Sequence, residues 1–181
     1  MESPSRDQVK RSIVDLQPLD DELIERLLQV AIAEAEPEEV MPPVDDAPGW
    51  TPKRLEAFRT FHRQRTDGLS GPFAEVHFAV VTEGEIVGSA RLARRSEGKS
   101  LEAGTWLARG KRNMGIGSTV VKLLLQRAAS AGAESMVAET TAANPAAVAV
   151  LRRLGAVFEE NPGGRIRARL SVPPDPSDAP N

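Results

Sequence analysis

Apolar positions along this chain follow two different periods. Between residues 20 and 35, Leu23, Ile24, Leu27, Leu28, Ala31 and Ile32 recur at helical spacing behind a cap at Asp20 or Asp21. This predicts an amphipathic helix ending near Ala35, preceded by a short strand over 13–16. Pro37 stops the helix. The stretch 37–52 holds five prolines and Gly49, and reads as a long ordered loop or a mobile lid. A second helix is expected after Thr51, with Pro52 at its first position, running through Phe58 and Phe61 to about Thr66. Residues 68–72 break it.

The period then drops to two. Residues 76–81, 86–93 and 101–108 read as strands, with turns at Glu83-Gly84-Glu85 and Glu97-Gly98-Lys99. They predict an antiparallel meander whose third strand points Glu102, Gly104 and Trp106 to one face and Ala103, Thr105 and Leu107 to the other. A basic, glycine-containing loop follows, Arg109-Gly110-Lys111-Arg112-Asn113-Met114-Gly115. It opens an apolar helix over about 116–131 that should be buried against a sheet. Gly132 ends it. A strand over 135–141, a helix over 144–154 stopped by Gly155, and strands over 156–159 and 165–172 complete the pattern. Pro162-Gly163-Gly164 turns between the last two. The division is a polar tail over 1–11, one domain over 12–172, and a Pro/Asp-rich tail over 173–181 expected to be disordered.

Composition removes several functions. Of the 181 residues, 40% are hydrophobic and 4% aromatic, with no tyrosine, so the core rests on Leu, Val, Ile and Ala. A net charge of −3 gives no footing for general nucleic-acid binding, which draws on phosphate neutralisation. The chain has no cysteine, which excludes disulfides, thiolate metal sites and a cysteine nucleophile. Its two histidines, His62 and His77, are too few for a typical zinc site, and both read as surface or packing residues. No metal is expected. Neither a signal-peptide pattern nor an 18-residue apolar run is evident, so a cytoplasmic location without membrane contact is expected.

The junction at 109–120 carries the chemistry. The first turn of a helix leaves N–H groups unpaired and gathers partial positive charge, a geometry that receives phosphate. Gly115 and Gly117 remove the Cβ atoms that would hold a diphosphate off. Ser118 and Thr119 add hydroxyls, and Arg109, Lys111 and Arg112 add charge. A tight turn with solvated basic residues is the plainer reading of two glycines alone.

The order of motifs resolves that choice. Arg112-Asn113-Met114-Gly115-Ile116-Gly117 resembles the signature of the GNAT N-acetyltransferase superfamily. Glu102-Ala103-Gly104-Thr105-Trp106-Leu107 looks like its central strand. Asn144, followed by Leu151-Arg152-Arg153-Leu154-Gly155-Ala156, looks like its second motif. The resemblance covers roughly 12–171. It implies an α/β (α+β) fold with a mixed, mostly antiparallel central sheet, a V-shaped splay between the two central strands and about four flanking helices. It implies acetyl-CoA as cosubstrate. Trp106, Leu107 and Ala108 would border the pantetheine arm, with backbone groups of Leu107 and Ala108 pairing it. Residues Arg112, Asn113, Met114, Gly115, Ile116, Gly117, Ser118 and Thr119 would hold the pyrophosphate, and Asn144 would bond the coenzyme near its pantetheine end. The implied acceptor is a primary amine of a small molecule or peptide, and dimers are common in such proteins.

An alkyl amine with a pKa near ~10.4 must lose a proton to attack, at about 4–5 kcal/mol at neutral pH. Glu102 is the first candidate base and Glu139 the second. Leu151 stands where many members of the family place a tyrosine general acid, so that acid is missing or replaced. The acceptor pocket is expected between the two N-terminal helices and the 37–52 loop. Glu38, Glu39, Asp45 and Asp46 there would attract a cation, or serve only solubility. Trp50 is a candidate wall or a packing plug. Two alternatives stay open: a non-catalytic CoA-binding or sensor module of the same fold, and, more remotely, an NAD(P)-binding oxidoreductase using Gly115, Gly117 and Glu139.

Overall fold

A computed structural model describes residues 13–95, 98–161 and 163–174. The N-terminal tail, Glu97 and Pro162 of the expected turns, and all of the C-terminal tail except Pro173 and Pro174 lie outside the described residues. The chain begins with β1 (Val14–Pro18) and α1 (Asp21–Glu34), whose N-terminus is capped by Asp20 accepting from the Leu23 N–H. A four-residue helix, α2 (Pro37–Val40), and then α3 (Pro52–Arg63) follow. The meander is β2 (Glu75–Thr82), β3 (Glu85–Ala93) and β4 (Ser100–Leu107). Then come α4 (Ile116–Ser130), β5 (Ser135–Thr141), α5 (Pro145–Arg153), β6 (Val157–Asn161) and β7 (Arg165–Ser171).

Only α2 departs from the expected order. The segment after Pro37 reads as loop from its prolines, but Glu36 and Glu39 form a capping box that holds one helical turn. At the β2–β3 hairpin, Glu83 and Gly84 both have positive φ, the geometry that suits the right-handed twist of the flanking strands.

The seven strands form one sheet in the order β1-β2-β3-β4-β5-β7-β6. Every pair is antiparallel except β4 with β5, which the crossover through α4 makes parallel. This arrangement has no repeated βαβ units and leaves the oxidoreductase reading without its scaffold. One face packs on α4 and α5. There Leu101, Val120, Leu124, Met136 and Leu170 are fully buried, and α4 buries one stripe (Ile116, Val120, Val121, Leu124, Ala128) rather than its whole circumference. The other face carries α1 and α3, with Ile24, Leu27, Leu28 and Phe58 buried between. Each such side chain contributes about 1.5–3 kcal/mol of burial. The alternation of β4 follows the expected pattern, with Leu101 and Ala103 in the first core and Trp106 against the second.

β4 and β5 pair only from Ser100–Ser135 to Ala103–Ala138. Beyond Ala103 the two strands part, so Gly104 to Leu107 face an open edge while β3 covers their other side. This is the expected splay, at the centre of the sheet. No helix among the described residues is long and apolar enough to cross a membrane.

Candidate active site

The splay leads directly into the basic loop. A 3-10 turn at Arg109–Lys111 carries the chain to Gly115, which caps α4 at φ +80°, a conformation that favours glycine. Asn113 also has positive φ. Among the described residues, nothing hydrogen-bonds to the backbone N–H groups of Asn113, Met114, Gly115, Ile116, Gly117 or Ser118. Thr119 N–H already donates to Gly115 O at 3.3 Å. A Cβ on Gly117 would meet only a Leu107 methyl at 3.8 Å, so the approach to these amides is open. Six donors free among the described residues, at and just before the positive end of a 15-residue helix, form an arrangement that can receive an anion. The basic side chains are partly committed elsewhere. Arg109 pairs with Glu39 at 3.2 Å, Lys111 with Glu85 at 3.3 Å, and Arg112 Nε donates to Leu107 O at 2.9 Å. The backbone, more than the side chains, forms this half of the site.

Alternation along β4 decides which strand groups face the splay. Ala108 N–H donates to Val87 O and Ala108 O accepts from Lys111 N–H, so Ala108 has no backbone group left for a ligand. Trp106 O lies against β3, where a Cβ on Gly88 would approach it to 2.1 Å. Leu107, between them, points its amide to the open edge. Of the three residues expected along the pantetheine arm, Leu107 alone offers backbone there, through its N–H, since its oxygen accepts from Arg112 Nε. Trp106 instead turns its indole into a second cavity, and Ala108 is spent in the turn. Asn144 accepts from the Ala147 N–H at 3.1 Å as the cap of α5, which leaves its amide nitrogen for a ligand. Leu151 is buried in the core and supplies no acid.

On the α3 side of the sheet lies a cavity of about 400 Å³. Its walls are α2 and the residues just after it (Glu38 to Pro42), Phe61, His62 and Arg65 from α3 and beyond, and strand residues that include Glu75, His77, Arg91 and Gly104 to Trp106. The cavity thus borders the same part of β4 that opens into the splay. The first helix takes no part in its lining, although the sequence pattern expects it to. Trp50 is a plug: it stacks edge-on against Phe58 and donates Nε1 to Ala35 O at 3.0 Å.

Three buried titratable groups form a chain on this wall. Glu75 (1% exposed) accepts from His77 (4%), Oε1 to Nε2 at 2.6 Å, and His77 Nδ1 meets His62 Nδ1 (3%) at 2.7 Å. Three guanidinium groups surround Glu75: Arg95 at 2.5 Å, and Arg65 and Arg91 at 3.5 Å. Burial pushes the Glu75 carboxyl up, but the His77 hydrogen bond and the charges of Arg91 and Arg95 outweigh it and hold it at about 2. Burial, the neighbouring His77 and Arg65 push His62 down to about 3. Burial also lowers His77, against the pull of Glu75. Sequence reading takes both histidines for packing or surface residues. Their meeting follows from the register of β2 against α3, for which a single sequence carries no signal.

Of the two carboxylates expected to act as bases, Glu102 joins this cluster through the Arg91 guanidinium, which it shares with Glu75, and Glu139 lies outside it. Glu102 is ion-paired with Arg91 at 2.6 Å, and Gly104 leaves the room that Arg91 needs, since a Cβ there would come within 2.8 Å of its Nε. Glu139 is exposed on β5, opposite Arg167 of β7. Two acids of the loop are paired from beyond it, Glu38 by Arg54 at 2.8 Å and Glu39 by Arg109, while Asp46 accepts from the Thr51 hydroxyl. Arg54, itself buried, also donates to the Gly49, Val44 and Asp46 carbonyls and so ties the loop down. Among the described residues no group of three or more His, Asp or Glu is arranged to hold a metal.

The sequence pattern of the acetyltransferase (GNAT) family matches residues 31–156. No curated protein sequence matches the chain. Solved structures do. The spermidine/spermine N-acetyltransferase SpeG of Vibrio cholerae superposes with a TM-score of 0.66 at 14% identity, over 88% of this chain and 94% of that one. The Campylobacter jejuni N-acetyltransferase PseH in complex with acetyl coenzyme A gives 0.65 at 14%, over 89% and 100%. The ribosomal-protein alpha-N-acetyltransferase RimL in complex with coenzyme A gives 0.66 at 16%, over 91% and 96%.

Proposed function

The chain belongs to the acetyltransferase (GNAT) family, and from that premise we propose that it moves the acetyl group of acetyl-CoA directly to a primary amine of a small molecule or peptide held in the α3-side cavity. The observation that carries this reading is the set of six unpartnered amides at the mouth of α4, set beside the splay that opens beyond Ala103. The donors suit the coenzyme: amides for the diphosphate, and the Leu107 backbone edge for the amide-containing arm. Acetyl-CoA then supplies an activated acyl group, and this chain's residues position it.

Attack is direct. No cysteine is present and no serine sits in a recognisable nucleophile elbow, so an acyl-enzyme is not part of the reading. Holding thioester and amine together supplies much of the rate through orientation. A thiol of pKa near ~8.5 leaves well enough that the absence of a tyrosine acid is tolerable. Glu102 stays within the proposal as a residue that orients Arg91, and Glu139 as an outlying carboxylate.

The wall chemistry narrows the acceptor. Arg65, Arg91 and Arg95 line the cavity around the single carboxylate of Glu75, while Glu38 and Glu39 are already paired elsewhere. A polyamine would meet more positive than free negative charge, so a monoamine is the better fit. An apolar groove lined by Pro43, Val44 and Ala57 shares Met41, Pro42 and Phe61 with the cavity and offers room for the rest of the acceptor.

The test is coenzyme binding followed by thiol release from acetyl-CoA with a panel of amines. Stabilisation by CoA and amine-dependent release are expected. Failure to bind CoA would remove the reading. Binding without release for any amine would favour a sensor of the same fold.

A further inference from the structure

The Glu75–His77–His62 chain has a defined hydrogen-bond direction. Glu75 is ionised inside its cage of Arg65, Arg91 and Arg95, and a carboxylate only accepts. His77 Nε2 must therefore carry the proton that bridges to Oε1. A neutral His77 then has a bare Nδ1, and the contact of 2.7 Å to His62 Nδ1 requires the proton to sit on His62. That leaves His62 Nε2 as a lone pair. It is buried and has no hydrogen-bond partner among the described residues, yet His62 lines the cavity. Trp106 Nε1, on the same wall, is a buried donor equally without partner. A buried acceptor and a buried donor on one cavity wall are each costly unless a ligand completes them.

We infer that the Glu75–His77–His62 chain presents His62 Nε2 to the acceptor amine as its proton acceptor, with His77 and Glu75 as positioning residues that set the tautomer. This rests on the transferase reading above. In the step, the amine nitrogen bonds to the acetyl carbon, the carbon–sulfur bond breaks and its electron pair leaves with sulfur. One proton leaves nitrogen for His62 Nε2. The His62 Nδ1 proton passes to His77 Nδ1, and the His77 Nε2 proton passes to Glu75 Oε1. Each ring gives a proton as it takes one, so no imidazolium forms in a site whose burial and arginines oppose it. Glu75 is a weak base and keeps the proton briefly. The relay then reverses: Glu75 returns the proton through His77 and His62, and His62 Nε2 gives it to the CoA thiolate, whose thiol has a pKa near ~8.5. The chain thereby serves amine and leaving group without a tyrosine.

The experiment begins with nitrogen NMR of the two histidine rings, the only ones in the chain. At neutral pH the proton is expected on Nδ1 of His62 and on Nε2 of His77. A proton on His62 Nε2, or a charged ring, overturns the inference whether or not the protein is active. Kinetics with an amine that the wild type acetylates form the second arm. His62→Gln should lower kcat/KM by about 10²–10⁴-fold with CoA affinity unchanged. Glu75→Gln should act chiefly on kcat and move the Nδ1 proton of His62, a signature that a merely structural role would not produce. An unaltered kcat/KM in folded His62→Gln overturns the inference. Failure of the wild type to bind CoA instead overturns the transferase reading, and the ring spectra still judge the tautomers.

Discussion

Acidification from pH 7 crosses the ordinary histidine range before the carboxylate range, which makes the buried histidine pair measurable by stability. Folding lowers both histidines, His62 to about 3 and His77 through its burial, and both take up a proton near 6.5 once unfolded. A folded pKa below the unfolded one means the unfolded state binds more protons as pH falls, so stability is lost below about 6.5. Each histidine that stays neutral costs about 1.4 kcal/mol per pH unit. By pH 4.5 His62 alone removes about 3 kcal/mol, and His77, also lowered, acts in the same direction. Against a total of about 5–15 kcal/mol for a domain, that is a large share. His62 faces His77, Arg65 and Glu75, and His77 faces Glu75, Arg65 and Arg91, so the nearby guanidiniums reinforce the neutral state throughout the window. Glu75 has the opposite sign of dependence. Its pKa is lowered to about 2, so its contribution is full above about 4.5 and fades only below that. Glu25 and Asp46, whose pKa values are also lowered, fade in the same acid range. Urea unfolding at a series of pH values should therefore show a decline between 6.5 and 4.5 that belongs to the two histidines. His62→Gln should flatten that decline while keeping the steeper loss below 4.5. A wild-type unfolding free energy that stays level from pH 7 to 5 would refute the buried neutral pair.

Four other outcomes follow from the same geometry. Gly117→Glu places a carboxylate at the free amides of α4 and should abolish CoA binding in a titration without unfolding the protein, because a Cβ there has room. Gly88→Ala forces a methyl onto Trp106 O and Leu107 Cα, and should lower the melting temperature and weaken CoA binding together, since β4 must shift at the splay. Glu102→Gln loosens the Arg91 pair but leaves the cavity chain in place, so kcat/KM should fall less than about tenfold, against the larger loss that a true base would show. Arg54→Met removes the tie on the loop and should cost about 2–4 kcal/mol, or roughly 5–15 °C in melting temperature, with limited proteolysis cutting near Val44 to Gly49.

The parts of this protein that were legible in its sequence are those in which backbone geometry dictates residue type. Gly115 at positive φ, the capping Asp20, Thr51 and Asn144, and the two-residue turn at Glu83-Gly84 all leave local signals, and with the two periods they place nearly every element. The half of the site proposed for the coenzyme is built from such backbone features: α4 opens, where the glycines stand, on amides without partners among the described residues. The acceptor half is made of side chains brought together over distance. Glu75 and His77 are two residues apart on one strand, but their partners come from α3, β3 and the chain beyond it. Nothing local distinguishes a strand histidine that packs from one that meets a second histidine at 2.7 Å. The same limit explains the residues displaced from their expected places. Trp106 and Ala108 are neighbours of Leu107 in sequence, and strand alternation alone turns them away from the splay. Glu102 has the right strand and face for a base, but its neutralising partner, Arg91, lies across the β3–β4 pairing opposite Gly104. A charge pattern read along the chain overstates the free acid of the 37–52 loop for a related reason, since Arg54 and Arg109, which neutralise Glu38 and Glu39, come from beyond that loop. The charge of the cavity wall therefore depends on how Arg65, Arg91 and Arg95 gather around Glu75 and Glu102, an arrangement fixed only once the sheet and α3 have docked.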